Sequence, residues 1–272
     1  MTTAPALSKE AIHQAVQEQY GALARTHGKR QGAESCCGPT CCSTTPAQQS
    51  PDYSNEEVAS VPPGAYLGAG SGNPVRHAAL KPGEVVIDLG AGAGMDTFLA
   101  ANAVGAAGRV HGFDLTPDML DRARSNAATA GYANVIFERA DIERLPFTDD
   151  AADAAISNCV INLAPDKAAV YREIFRALKS GGRFSIADIV LRGPAHALEA
   201  FRNAVHKDNW CGCVSGALSQ EEYLSAIRAA GFSDVHIVAE RPAESQPPRQ
   251  GSGQAGGNLQ AVAVTITGRK PA

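Results

Sequence analysis

From Lys81 onward the chain alternates between two spacings of apolar residues. Short apolar runs are separated by stretches in which apolar positions recur every three or four residues, the spacing of one helix face. The short runs predict strands at 84–88, 109–114, 134–139, 153–158 and 183–190. Helices are expected near 94–104, from Pro117 to just before Gly131, and near 166–179. The second is the best marked, with Thr116 as cap, Pro117 at the first position and Gly131 past the end. The third opens on the Asp166-Lys167 cap, buries Val170, Ile174 and Leu178, and stops at Ser180-Gly181-Gly182. Repeated strand–helix units predict an α/β, doubly wound, mostly parallel sheet with helices on both faces.

The flanks follow other patterns. Residues 8–27 predict a helix, with Ser8 as cap, Glu10 near the positive end of the helix dipole, and Ile12, Val16, Tyr20 and Leu23 on one face. Residues 28–57 are rich in Gly, Ser, Thr, Gln and Pro and read as a loop; 61–74 form a second, glycine-rich loop. After Leu191, helices are expected over 195–206 and 219–230. Strands 234–240 and 260–267 follow as an antiparallel closing pair, joined by a polar, Pro- and Gly-rich connection over 241–258. This divides the chain into an N-terminal helix and Cys-rich loop (1–60), a central ligand-binding unit (61–192) and a smaller C-terminal acceptor-binding region (193–272).

Composition narrows the function. A net charge of −4 in 272 residues offers no basic face for nucleic acid. No apolar stretch approaches a membrane span, and the amino terminus lacks a basic patch followed by an apolar core. The expectation is a cytoplasmic monomer with no membrane or nucleic-acid partner. Seven cysteines is an odd number and too few for a disulfide scaffold, so thiols that bind soft ions or carry redox chemistry are expected. Cys36, Cys37, Cys41 and Cys42 are clustered; Cys159, Cys211 and Cys213 stand apart. The cluster supplies only one lobe of a zinc ribbon, and Cys211-x-Cys213 is not the second. His77, His111, His196, His206 and His236 show no ligand spacing.

The strongest signal is Asp88-Leu-Gly-Ala-Gly-Ala-Gly94, directly after the apolar run Glu84-Val-Val-Ile87. A strand breaking into glycines and then a helix is a nucleotide-binding turn, because bare backbone lets a ligand lie against it. Gly94 follows Gly92 by two places, not the three usual for dinucleotides, and Asp88 stands two places before Gly90. That variant points to a smaller adenosyl ligand. Asp114, closing the strand Val110-His-Gly-Phe113, stands where an acid can accept from both ribose hydroxyls.

Together these features resemble class I S-adenosylmethionine-dependent methyltransferases over about Val61 to Glu240. The resemblance implies that Gly90, Gly92 and Gly94 line the methionine and ribose, that Asp88 helps fix the amino group and that Asp114 holds the ribose. It places Asp141 and Ile142 on the adenine, with Met119, Leu115 and Asn158 as further cofactor contacts. Three phrases are similar to arsenite methyltransferases: Ser157-Asn-Cys-Val-Ile-Asn-Leu163 with Pro165-Asp166-Lys167, Cys211-Gly-Cys-Val-Ser-Gly-Ala-Leu218, and Leu67-Gly-Ala-Gly-Ser-Gly-Asn-Pro74. In that family the first two each carry an arsenic-binding cysteine, which maps onto Cys159 and Cys213. The third usually holds another cysteine, where this chain has Ser71, and a hydroxyl is a poor ligand for a soft ion. Three readings stay open: two thiolates hold a monomethylated species, one of Cys36, Cys37, Cys41 or Cys42 supplies the third ligand, or Ser71 replaces a native cysteine.

The implied chemistry suits thiols. Thiolates can hold trivalent arsenic with its lone pair aimed at a sulfonium methyl, and the displacement moves no proton, so positioning and dehydration dominate. Transfer oxidises arsenic, so a thiol reductant of glutathione or thioredoxin type is expected. The expected activity is methylation of arsenite or methylarsenite for detoxification. The alternatives are a C- or O-methyltransferase acting on a quinone precursor, and a non-catalytic thiol-based arsenic-binding protein.

Overall fold

Strands β1 (Val85–Leu89), β2 (Arg109–Asp114), β3 (Val135–Arg139), β4 (Ala152–Asn158), β5 (Leu178–Arg192), β6 (Ser233–Pro242) and β7 (Gln260–Arg269) form one sheet in the order β3-β2-β1-β4-β5-β7-β6. The first five run parallel, and β7 is antiparallel to both β5 and β6. This is the doubly wound sheet with an antiparallel closing strand that the spacing predicts. The computed structural model describes residues 8–26, 52–204, 213–244 and 259–272. The cluster Cys36–Cys42 and Cys211 lie outside the described residues.

Alternation along the strands sorts the core. Ile87 and Leu89 of β1 join a cluster with α6 (Lys167–Ala177) and α8 (Gln220–Ala229), built around Tyr171, Ile174, Tyr223 and Ile227. Val86 points the other way, with Ala100, Ala101 and Val104 of α4 (Met95–Val104). Phe98, Leu99, Leu120 and Phe137 extend that second layer beneath α5 (Pro117–Ala130). Burying each of these large side chains contributes about 1.5–3 kcal/mol, which is what sets the register of the strands. The N-terminal helix α1 (Lys9–Thr26) packs on α5.

Several boundaries differ from expectation. Leu178 closes no helix: α6 ends at Ala177, and Leu178 turns extended (φ −74°, ψ 139°) to pair with Ala152 of β4. A buried leucine serves a helix face or a strand equally well, and here the strand partner decides it. Gly181 and Gly182 bend β5 without ending it, with Gly181 at φ +75° and the pair exchanging backbone bonds with Lys270. Two short helices form at the ends of the expected loops. α2 (Asn55–Ala59) starts on a reciprocal cap between Ser54 and Glu57, and α3 (Pro74–His77) starts on Asn73 with Pro74 in its first turn. A last helix, α7 (Ala195–Ala204), follows β5. Among the described residues no helix is long and apolar enough to cross a membrane.

Candidate active site

Parallel pairing brings the carboxyl ends of β1, β2 and β4 to one edge, with Leu89 beside both Phe113 and Ser157. The glycine turn leaves β1 there. The Gly90 and Ala91 N–H groups both donate to the Phe113 carbonyl (2.8 and 2.9 Å), tying the turn to β2. Gly90, Gly92 and Gly94 take φ of +78°, +53° and +101°, a region that penalises side chains. A Cβ at Gly90 would lie 2.6 Å from Val160, and one at Gly94 would lie 2.5 Å from Phe98. At Gly92 it would meet nothing within 4 Å, so that stretch of backbone faces open space.

Three carboxylates surround the turn. Asp114 accepts from the Gly92 N–H (Oδ2, 2.8 Å) and the Thr116 N–H (Oδ1, 2.8 Å); burial nonetheless pushes its carboxyl up. Asp88, 2% exposed, accepts from the Thr97 hydroxyl at 2.6 Å. Burial, and then the neighbouring Asp96, push it well above the ordinary range. Asp96, 7% exposed in the first turn of α4, accepts from the Tyr53 hydroxyl (Oδ1, 2.7 Å) and the Asn158 carboxamide (Oδ2, 3.0 Å). Burial carries its carboxyl to about 6 against those bonds.

Asn158 ends β4 and acts as a clamp. Its Nδ2 also donates to the Tyr53 oxygen (2.9 Å) and the Gly72 carbonyl (2.8 Å), and its Oδ1 accepts the Ser71 N–H (2.9 Å). The glycine-rich loop is thereby pinned over the strand end. Gly72 has no room for a side chain, since its Cβ would lie 2.7 Å from that of Ala187. The Ser71 hydroxyl is buried and has no hydrogen-bond partner among the described residues.

Cys159 follows, in the left-handed region at φ +58°, its N–H donating to the Ala187 carbonyl at 2.8 Å. A non-glycine residue held there is a strained position of the kind that clusters at functional sites. Cys159 and Cys213 are joined as a disulfide, with Cα atoms 6.3 Å apart. They pack against an apolar cluster that includes Ile189, Leu191 and Phe201. Asp188, in the middle of β5, gathers the two cysteine-bearing segments from below. It accepts from Asn162 Nδ2 (2.8 Å) and Asn162 N–H (3.2 Å) after Cys159, and from Tyr223 (3.1 Å) on the helix that follows Cys213. Burial pushes its carboxyl up to about 7.

The remaining expected cofactor residues are placed as follows. Leu115 is half-buried, and Ile142 is buried in the cluster that holds Leu89 and Phe113. Met119 is buried in a cluster with Ala93 and with Tyr20, Leu23 and Ala24 of α1, so the N-terminal helix covers this corner. The Asp141 carboxylate is occupied: burial would raise it, but Lys9 at 2.8 Å, the Glu143 N–H and the nearby His13 hold it below the ordinary range. His13, Asp141 and Glu143 converge as metal ligands would, yet Lys9, 2.5 Å from Glu143, already supplies the cation. Tyr53, Asp96 and Lys9 were not legible as site residues. Each comes from a separate element, and only Asp96, two places past the last glycine, carried a local hint.

A glycine turn between β1 and α4, an acid at the tip of β2 and polar side chains at the end of β4 define a class I methyltransferase domain. A family model described as a methyltransferase domain matches residues 80–231. An arsenite methyltransferase of Halobacterium salinarum is 37% identical over 97% of this chain and 68% of its own length. Another, from Aquipseudomonas alcaligenes, is 33% identical over 85% of this chain and 65% of its own. The crystal structure of an arsenic(III) S-adenosylmethionine methyltransferase from Chlamydomonas reinhardtii superposes with a TM-score of 0.60 at 30% identity, covering 81% of this chain and 71% of that one. The chain belongs to the arsenite methyltransferase family of S-adenosylmethionine-dependent enzymes. Its residues fit that methyl donor: bare backbone at Gly92 faces open space, and the acids around it form no ion pair among the described residues.

Proposed function

We propose that the enzyme methylates trivalent arsenic held by the thiolates of Cys159 and Cys213, as a detoxifying step in the cytosol. The carrying observation is the pairing of the two sulfurs beside the glycine turn, with Val160, next to Cys159, packed on Gly90. Gly90, Gly92, Gly94, Asp88 and Asp114 would hold the donor, with Leu115, Met119, Ile142 and Asn158 around it. The arsenic lone pair forms the As–C bond as the S–CH3 bond breaks; arsenic rises from the trivalent to the pentavalent state, and the donor leaves as a neutral thioether. No proton moves, so aim and exclusion of water do the work. The buried apolar lining around the two cysteines supplies both.

A disulfide offers no thiolate. A thiol reductant of glutathione or thioredoxin type must open Cys159–Cys213 before arsenic binds, and two electrons must later return pentavalent arsenic to the trivalent state. With Ser71 buried and a hydroxyl a poor soft ligand, Cys159 and Cys213 are the two thiols among the described residues. That favours methylarsenite, whose methyl group already fills one arsenic valence, over arsenite.

The test is product analysis with S-adenosylmethionine, excess thiol and either arsenical. Methylarsenite should be consumed faster, Cys159→Ser and Cys213→Ser should form no product, and Ser71→Cys should raise the arsenite rate selectively. Full turnover by Cys159→Ser would eliminate the thiolate site. Tight arsenical binding without product would mark the chain as a binding protein.

A further inference from the structure

Among the described residues the acids around the glycine turn form no ion pair. Among the described residues Asp88 is bonded by the Thr97 hydroxyl, Asp96 by the Tyr53 hydroxyl and the Asn158 carboxamide, and Asp114 by backbone N–H groups and the Thr116 hydroxyl; every one of these donors is neutral. The charges that face Asp96 are themselves acidic: Asp88 from β1, and Glu57 and Asp52 from the segment around α2. Of these, Asp52 and Glu57 are paired with cations, Arg241 at 2.6 Å and Arg76 at 2.7 Å. A buried carboxylate met only by neutral donors is expensive to ionise, and a cationic ligand is what relieves it. Asp96 stands between the glycine turn, at the start of α4, and Asn158, directly before Cys159. On the donor site assigned above, the transferable methyl lies in that interval.

Resting on the donor site assigned above, we propose that Asp96, held by Tyr53 and Asn158, reads the charge of the cofactor and so favours the sulfonium donor over its neutral thioether product. S-Adenosylmethionine carries one net positive charge that S-adenosylhomocysteine lacks. Bound next to Asp96, the donor stabilises the ionised carboxylate and drives off its proton; the product does not. Donor binding therefore tightens as pH rises through the range where free Asp96 titrates, around pH 6, while product binding stays flat. The preference for donor over spent cofactor is therefore largest where the carboxylate is ionised. Asp88 repels Asp96 as a like charge, and of the two carboxylates only Asp96 accepts from Tyr53.

Titration calorimetry of both ligands between pH 5 and 8, in two buffers of different ionisation heat, counts the protons. Release of one proton by the donor corresponds to about tenfold in affinity per pH unit below the midpoint. Little or no release by the product is expected. Asp96→Asn should abolish the proton release on donor binding and shrink the donor–product preference. Tyr53→Phe keeps the carboxylate but removes a hydrogen bond to its charged form, so it should move the midpoint to higher pH. Equal proton release by both ligands, or an unmoved midpoint in Tyr53→Phe, would overturn the role of Asp96 alone. Failure of the wild-type protein to bind either ligand would overturn the donor site with it.

Discussion

Gly216 offers a sharp test of how the two cysteines are held together. It lies in the turn that carries Cys213 against the segment that carries Cys159. A Cβ there would collide with the carbonyl oxygen of Asn162 and come within 3.1 Å of its carbon. Carbon and oxygen do not ordinarily approach closer than about 3.3 Å. The obstacle is backbone, fixed by the Asn162 N–H on Asp188 at 3.2 Å, so it cannot swing aside. The 213–217 turn must retreat by on the order of 1 Å, at a cost of about 1–3 kcal/mol for overpacking. The cysteine Cα atoms already stand 6.3 Å apart, and bridged pairs seldom exceed about 6.8 Å. A retreat of that size takes the sulfurs out of joint reach. Gly216→Ala should therefore fail to close the Cys159–Cys213 bond under mild oxidant. It should bind phenylarsine oxide about 5- to 150-fold more weakly, the equivalent of that energy at about 1.4 kcal/mol per tenfold. Both are measured in a background with Cys36, Cys37, Cys41, Cys42 and Cys211 replaced by serine. S-Adenosylhomocysteine binding should persist, which reports a folded site. Wild-type affinity for the arsenical in Gly216→Ala would refute the docking argument.

Other positions make further demands. Gly90→Ala places a side chain at φ +78° and against Val160, and should lower the urea midpoint and abolish cofactor binding by calorimetry; retained binding would contradict the close approach. Asp188 has a folded pKa raised to about 7 from 3.8, so its contribution to stability is full below pH 4 and is lost as pH rises through 7. Melting temperature should accordingly fall between pH 5 and 8, and Asp188→Asn should flatten that fall while lowering the melting temperature overall through lost bonds. Arg183 bonds Glu84 at 2.6 Å and the Ala78 and Ala79 carbonyls, with both side chains of the ion pair largely buried. Arg183→Ala should cost about 3 kcal/mol in denaturant unfolding by leaving Glu84 unpaired.

Much of the scaffold was legible because its signals are local. The cap and stop of α5 sit within a few residues of its ends, and the turn after β1 announces itself in seven consecutive residues. The helix α2 was legible in principle, since Ser54 and Glu57 form a capping box, but the polar composition around them reads as loop. What escaped depends on distance. Nothing near Tyr53 says that it will bond Asp96, 43 residues away, and nothing near Lys9 says that it will neutralise Asp141. Leu178 could have belonged to either neighbouring element until Ala152 was beside it. The cysteine pair stood out through its surrounding phrases, not through spacing, because 54 residues separate the two sulfurs.

The position of β7 bears on how the chain assembles. Although it follows β6 in the chain, it inserts between β5 and β6, so this side of the sheet closes only when β7 pairs. Until then β5, 15 residues long, presents an open row of backbone donors and acceptors. Such distant pairing slows folding and lengthens the interval in which that edge can recruit a neighbouring chain. Expression at low temperature or with chaperones should thus raise the soluble yield more than any surface substitution.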